Sequence, residues 1–147
     1  MNMNTIMLPL SEIATWERAK AGKEYPAGTI LLQISATRGQ LVFVEDGGKV
    51  KPSMYAAIVP DTAKVDPYYL YTILEMQMPE FLYQYQTGLN IQPDILKFLV
   101  LQIHTDLEVQ QNIASQQRKL AERIKEEEHT VTKLQDLKAW FLNGLFV

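Results

Sequence analysis

Hydrophobic and polar residues follow two different rhythms along the 147 residues, and the change falls near His104. Before it, short apolar runs of strand length are divided by Gly, Pro and polar residues. After it there is no Pro, Gly appears only at Gly144, and apolar residues recur every three to four positions. In the first part Thr29–Ile34 and Gln40–Val44 read as strands joined by the polar loop Ser35–Gly39. Asp46-Gly47-Gly48 then turns the chain toward a third buried strand, Tyr55–Val59. Met7–Leu10 reads as a lead-in and Ser11–Trp16 as a capped helical turn. Pro67 opens a helix predicted over Tyr68–Glu80, with Tyr69, Leu70, Ile73 and Leu74 at helical spacing. Tyr83–Asn90 reads as a polar aromatic loop, and Ile95–Ile103 as a helical turn followed by a core strand.

The second part predicts one long helix. Thr105-x-x-Glu108 has the form of a capping box, in which hydroxyl and carboxylate satisfy the first free amides. From there a 3–4 spacing picks out Ile113, Gln117, Leu120, Ile124, Glu127, Val131, Leu134, Lys138 and Phe141 as a single seam. Asn143-Gly144 is the expected left-handed stop. Such a helix is on the order of 55 Å long, more than a domain of this size needs for its own packing. Its apolar stripe therefore calls for a second helix from another copy or another protein; the alternative is a helix folded back on its own domain. The polar seam positions Gln117, Glu127 and Lys138 lower stability but fix register, and Glu127 and Lys138 approach each other in an antiparallel pair. The expected class is α+β: a compact mixed domain over residues 1–104 and a coiled-coil-forming helix over residues 105–147.

Composition narrows the function. Hydrophobic residues make up 47% and charged residues 21%, enough to bury a core. The absence of cysteine removes disulfides, thiolate zinc sites and cysteine nucleophiles. The start MNMNTIMLPL lacks the pattern of a signal peptide, and no apolar run approaches a membrane span, so a soluble, cytoplasmic protein is expected. A net charge of −3 argues against coating DNA by charge alone. One stretch is basic: Arg18, Lys20, Lys23, Arg38, Lys49 and Lys51 outnumber Glu24, Glu45 and Asp46.

Catalysis needs positioned acids, bases, nucleophiles or metals, and the sequence assembles none of the usual sets. His104 and His129 have no ligand partner at metal spacing, and read as a strand-end and a solvated helix residue. Asp61 and Asp66, in Pro60-Asp-Thr-Ala-Lys-Val-Asp-Pro67, fit turn and cap roles. Glu126-Glu127-Glu128 fits a solvated helix face. There is no phosphate-cradling glycine loop and no Asn-Pro-Pro-Tyr-like methyltransferase motif. No catalytic residue, metal or cofactor is expected.

An ordered series of short motifs gives the chain a resemblance. Tyr25-Pro-Ala-Gly-Thr-Ile-Leu-Leu-Gln-Ile-Ser-Ala-Thr-Arg-Gly39 is similar to the strand and loop Gly-Asp-Ile-Leu-hydrophobic-Ser-x-x-Gly of the specificity subunits of type I restriction–modification systems. Ile58-Val-Pro-Asp61 and then Tyr68-Tyr-Leu-Tyr71 resemble that family's middle section. Thr87-Gly88, Ile91 and the stretch Ile95–Ile103 are similar to its Gly-x-x-Ile … Leu-x-x-Ile segment. Leu107-Glu-Val-Gln-Gln-Asn-Ile-Ala114 resembles the Leu-Glu-Glu-Gln-x-x-Ile-Ala start of its conserved helix, and Leu134-Gln-Asp-Leu-Lys138 resembles that helix's end. The chain departs where His104-Thr105 replaces the usual Pro and Val109 replaces a Glu. Full-length members carry two recognition domains and two helices, so this chain looks like a half-subunit with a trimmed recognition domain.

The resemblance implies a DNA sequence-specificity subunit. Two such units would pair their helices antiparallel and hold two recognition domains on a bipartite site of double-stranded DNA, with separate modification (methyltransferase) and restriction subunits docking on the helices. The pairing is a homodimer or engages another specificity chain. Base reading needs donor–acceptor side chains on loops. The candidates are Gln33, Ser35, Thr37, Arg38 and Gln40 in the first loop and Gln84, Gln86, Thr87 and Asn90 in the second. Lys49 and Lys51 are phosphate candidates, and Tyr83 and Tyr85 read as packing residues. The competing reading is a specificity-like interaction protein that binds the modification or specificity subunit as a regulator or decoy without reading DNA.

Overall fold

The structure, a computed structural model, describes residues 4–35, 39–50, 54–86 and 88–145, with residue 145 described by its backbone alone. The chain divides into two compact units, Met1–Ala114 and Ser115–Val147. Its class is α+β.

The centre of the first unit is an antiparallel sheet ordered β2-β7-β4-β5. Its strands are Ala14–Arg18 (β2), Ile30–Gln33 (β4), Leu41–Phe43 (β5) and Tyr55–Pro60 (β7). The sheet is covered on both faces, which explains why β4 and β7 read as near-continuous apolar runs. Ile30, Leu32, Ala56 and Ile58 face the main core, where they join Tyr69, Leu70, Ile73 and Leu74 of helix α1 (Pro67–Tyr85). Leu31 and Ala57 point the other way and join Ala19 and Tyr25. Tyr25 belongs to a two-residue ribbon, β3 (Glu24–Tyr25) with β6 (Gly48–Lys49). Each fully buried Ile or Leu contributes roughly 1.5–3 kcal/mol. A second ribbon pairs β1 (Thr5–Pro9) with β8 (Val100–His104), and it brings Leu101 and Ile103 into the main core.

Several local expectations change under long-range pairing. The lead-in Met7–Leu10 is mostly strand β1, held by Thr5↔His104 through Pro9↔Val100. The helical turn expected at Ser11–Trp16 is a single 3-10 turn, Leu10–Glu12, followed by β2. Ala14↔Pro60 through Arg18↔Ala56 gives those residues a ladder that a lone helical turn does not offer. Helix α1 continues past Glu80 through Pro79 to Tyr85, so Tyr83-Gln84-Tyr85 are helical rather than loop. Buried Met78, Phe81 and Leu82 hold that final stretch against the core and offset the hydrogen bond Pro79 removes.

Helix α2 is Leu107–Leu145, 39 residues and about 58 Å by helical rise. Its cap is Asp106, whose Oδ1 accepts from the Glu108 amide at 2.9 Å. Thr105, the expected cap, instead donates its hydroxyl to the Asn4 carbonyl at 3.3 Å. The helix also runs through the stop expected at Asn143-Gly144, where Gly144 keeps an ordinary φ. Among the described residues no helix is long and apolar enough to cross a membrane.

Candidate nucleic-acid interface

The loop after β4 and the segment after α1 lie side by side. The Ile91 amide donates to the Ile34 carbonyl at 2.8 Å, tying together positions far apart in sequence. Gly39, at φ +88, closes the junction from the other side: a Cβ there would overlap Leu82 Cδ1 and touch Ile91. Only glycine takes that conformation in that space at low cost. Gln33 and Gln40 face across the hairpin, with the Gln33 amide donating to the Gln40 carbonyl at 2.9 Å. Of the described candidates, Gln33, Ser35, Gln40, Gln86 and Asn90 lie on these two joined segments.

Their side chains are partly committed. Gln33 Nε2 donates to the Ser35 carbonyl and Gln86 Nε2 to the Gly88 carbonyl, both at 3.3 Å. Such long bonds fix side-chain direction at little cost to exchange for a ligand's donor or acceptor. Gln40 and Asn90 are exposed. The described residues of these two loops carry no charge, so they offer donor–acceptor chemistry rather than phosphate neutralisation. Thr37, Arg38, Lys51 and Thr87 lie outside the described residues.

Two candidates sit elsewhere. Gln84, on the last turn of α1, lines a cleft of about 310 Å³ with Phe81, Tyr85, Phe98 and Val100. Tyr85 is stacked there between Phe81 and Phe98, at 4.6 and 5.7 Å between ring centres, a packing role as expected. Tyr83 differs: it is 91% exposed and packs into no core. Lys49 belongs to the β3–β6 ribbon, opposite Glu24. In the basic stretch, Lys23 and Lys20 bind the Glu17 carboxylate at 2.6 and 3.2 Å, and the Tyr25 hydroxyl donates to it at 2.9 Å. The Lys23 and Tyr25 hydrogen bonds, with Lys20 behind them, hold the Glu17 carboxyl down at about 2. Part of the positive charge read from sequence is thus spent internally.

The start of α2 is keyed to the domain by a residue the sequence reading passed over. Gln110, 1% exposed, accepts from the Asp66 amide at 2.9 Å and donates to the His104 carbonyl at 2.7 Å. Asp66 caps α1 by accepting from the Tyr69 amide at 2.9 Å, and Asp61 accepts from the Ala63 amide at 3.1 Å. The buried Tyr69 hydroxyl accepts the His104 amide at 2.8 Å and meets His104 Nδ1 at 2.7 Å. Val109, where the family motif has Glu, is 1% exposed, so an apolar residue suits that position here. The signal for Gln110 was its place in the Leu107–Ala114 motif, between buried Val109 and Ala114.

Beyond Ala114 the expected seam faces solvent. Leu120, Ile124, Val131, Leu134 and Phe141 are each more than half exposed, while Ile113 is half-buried. Gln117, Glu127 and Lys138 are exposed, and Glu127 accepts from Arg123 Nε at 3.4 Å. His129 is a solvated helix residue. Leu137, Trp140 and Leu142 add exposed apolar surface near the helix end. Among the described residues no group of His, Asp and Glu is placed to hold a metal ion.

Among solved structures the chain superimposes on the S subunit of a type-I restriction-modification system from M. genitalium, with a TM-score of 0.71, 14% identity and 85% of this chain covered. The fold is S-subunit-like. A second match, from a structure concerned with complex assembly and conformational transition of the type I R-M system, has a TM-score of 0.68, 14% identity and 93% of this chain covered. The chain spans 41% and 44% of the lengths of those two chains. No protein-family model matches the sequence, and no curated protein matches it. The S-subunit-like fold thus carries the likeness where sequence identity does not.

Proposed function

We propose that the chain is a DNA sequence-specificity subunit of a type I restriction–modification system, without catalytic chemistry or cofactor of its own. In this reading residues 1–104 read double-stranded DNA through the joined loops, and residues 105–147 pair with a second helix and dock the modification and restriction subunits in the cytoplasm. The observation that carries it is the Ile91–Ile34 bond, which supports a single reading surface of uncharged amide and hydroxyl groups inside an S-subunit-like fold. Bidentate amide contacts to base edges are each worth roughly 1–3 kcal/mol of discrimination.

The test is selection of DNA from a random pool by the chain reconstituted with its methyltransferase subunit. Two inverted half-sites separated by an unread spacer are expected; assembly without any sequence preference refutes the reading. Arg38→Ala in the assembled complex should weaken specific binding, and an assembled mutant with unchanged binding removes Arg38 from the interface.

A second reading is favoured by one observation. The net charge is −3 and the described loop residues are uncharged, which suits a regulator or decoy that occupies the methyltransferase or another specificity chain without gripping DNA. Binding to those subunits with no DNA preference is its signature.

A further inference from the structure

The far end of helix α1 turns one aromatic ring into solvent. Phe81 and Leu82 are buried and Tyr85 is stacked on Phe81, but Tyr83 is 91% exposed, and Leu89, on the segment that follows, is 72% exposed. Single exposed apolar residues are ordinary. These two, however, stand among Gln86 and Asn90, the uncharged amides of the joined segments. We infer that Tyr83 and Leu89 contact the 5-methyl groups of thymine in the major groove, so that residues 83–90 read A·T base pairs. This deepens the proposed function and rests on its view that the joined segments read double-stranded DNA.

Both side chains stand on anchored backbone. The Gln86 amide donates to the Leu82 carbonyl at 2.8 Å, and Leu82 lies against Gly39 of the first loop. At the other end Ile91 is 1% exposed and its amide is bonded to Ile34. Between them Gln86 Nε2 reaches the Gly88 carbonyl. Gln86 follows Tyr83 by three positions, the spacing of neighbours on a helix surface, and Asn90 follows Leu89 directly. An apolar group therefore accompanies each amide on a support that is already ordered, so little entropy is lost when either meets a ligand.

The chemistry of the bases selects the target. In the major groove adenine offers an acceptor at N7 and a donor at N6, which one Gln or Asn carboxamide matches; its partner thymine offers a methyl group, which an apolar side chain matches. Guanine is matched by Arg or Lys, and the cytosine amino group by Asp or Glu. Residues 83–90 include none of those four types. One segment thus carries both halves of an A·T reading set and neither charged partner of a G·C pair. Thymine methyls lie in the major groove alone, which fixes the groove that the end of α1 approaches. Apolar contact also suits a protein of net charge −3, because its gain comes from burial and not from counterion release. Arg38, in the other loop, has the group that suits guanine, so the restriction applies to the bases under residues 83–90.

The test uses the full chain reconstituted with its methyltransferase subunit, on the DNA site that this complex selects. Each thymine is replaced in turn by deoxyuridine, which removes only the methyl group. At one or two positions the native complex should lose about fourfold in affinity, the worth of one buried methyl-sized group. Tyr83→Ser or Leu89→Ser should bind the thymine and uracil forms of its own position equally. Tyr83→Phe keeps the ring and should discriminate as the native chain does. Both side chains are exposed, so the serine variants should melt with the native protein. Native binding indifferent to uracil at every position overturns the inference, and so does discrimination that survives in both serine variants. A repeat selection with either serine variant should relax an A·T position; relaxation at a G·C pair also overturns it. A complex that selects no sequence refutes the proposed function and this inference together, whereas one that selects a site but ignores the methyl groups refutes this inference alone.

Discussion

Replacing Gln110 tests whether the start of α2 is part of the folded domain or merely follows it. Gln110→Leu keeps much of the side-chain volume but removes both hydrogen bonds, depriving the Asp66 amide and the His104 carbonyl of a partner in a site 1% exposed. A buried polar group left unsatisfied costs about 1–3 kcal/mol, so the pair amounts to roughly 2–6 kcal/mol. For a unit of this size that lowers the melting temperature by roughly 10 °C or more. Urea unfolding followed by Trp16 fluorescence in a Trp140→Phe background restricts the signal to the sheet domain. Gln111→Leu, on the exposed side of the same turn, should stay within about 0.5 kcal/mol of the parent. Gln110→Glu supplies a sharper discriminant. Its carboxylate accepts from the Asp66 amide but opposes the His104 carbonyl, so burial and that dipole raise the folded-state pKa of the new acid. The destabilisation is then fully present above the raised value and shrinks as pH falls through it, because the protonated acid donates to the carbonyl. A Gln110→Leu protein as stable as its parent, or a Gln110→Glu deficit unchanged between pH 7 and pH 5, refutes the keyed-helix argument.

Three further outcomes follow from the same geometry. Gly39→Ala forces a side chain into left-handed backbone and against Leu82; a loss of about 1–3 kcal/mol is expected, and DNA affinity of the assembled complex should fall even where the domain stays folded at low temperature. Tyr69→Phe strips the His104 amide of its acceptor, so that amide should exchange with solvent deuterium at least tenfold faster, and unchanged exchange rules out the hydroxyl as its protector. Glu17 is depressed from 4.5 to about 2, so its ion pairs stabilise the fold fully above pH 4.5 and lose that contribution as pH falls toward 2. On a side chain this accessible the effect is screened to about 1 kcal/mol or less, and the urea-midpoint gap between native and Glu17→Gln protein should close between pH 6 and pH 2.5.

What sequence revealed and what it hid divide by range of interaction. Strands β4, β5 and β7 and both helices announce themselves through local periodicity, because burial on one or both faces writes directly into residue order. Strands β1 and β2 do not. Thr5 pairs with His104 across almost the whole domain, and nothing in Thr5–Pro9 advertises a partner so distant. The two-residue strands β3 and β6 are too short to carry any period. Helix ends misled for a related reason: Asp106 outcompetes Thr105 as cap because Thr105 is engaged by Asn4, and Pro79 is tolerated because the residues after it are buried. For the candidate interface, residue type was legible and assembly was not. Gln33, Ser35 and Gln40 are joined to Gln86 and Asn90 by a backbone bond, which has no side-chain signature, while Gln84 and Lys49 carry the right chemistry into other surroundings.

In the proposed pairing, the order of α2 and its association are one equilibrium. Its first turns are anchored, with Val109, Gln110 and Ala114 buried, so the unfavourable nucleation step is already covered by the domain. From Lys119 to Gly144 every side chain is exposed, and propagation there depends on intrinsic propensity and local pairs alone. Those are modest: Arg123–Glu127 is an exposed i,i+4 pair, and Thr130 and Thr132 turn their hydroxyls back onto the Glu126 and Glu128 carbonyls, a habit that weakens helices slightly. β-Branched Ile124, Thr130, Val131 and Thr132 cluster in the same stretch and add a few tenths of a kcal/mol each against the helix. Covering the seam supplies what propensity does not, since each buried Leu, Ile, Val or Phe returns roughly 1.5–3 kcal/mol. Helix content should therefore rise with protein concentration, in step with the dimer fraction measured by sedimentation. A far-UV helical signal that stays constant while the chain passes from monomer to dimer would separate the two processes, and with them the argument that the seam stabilises the helix that bears it.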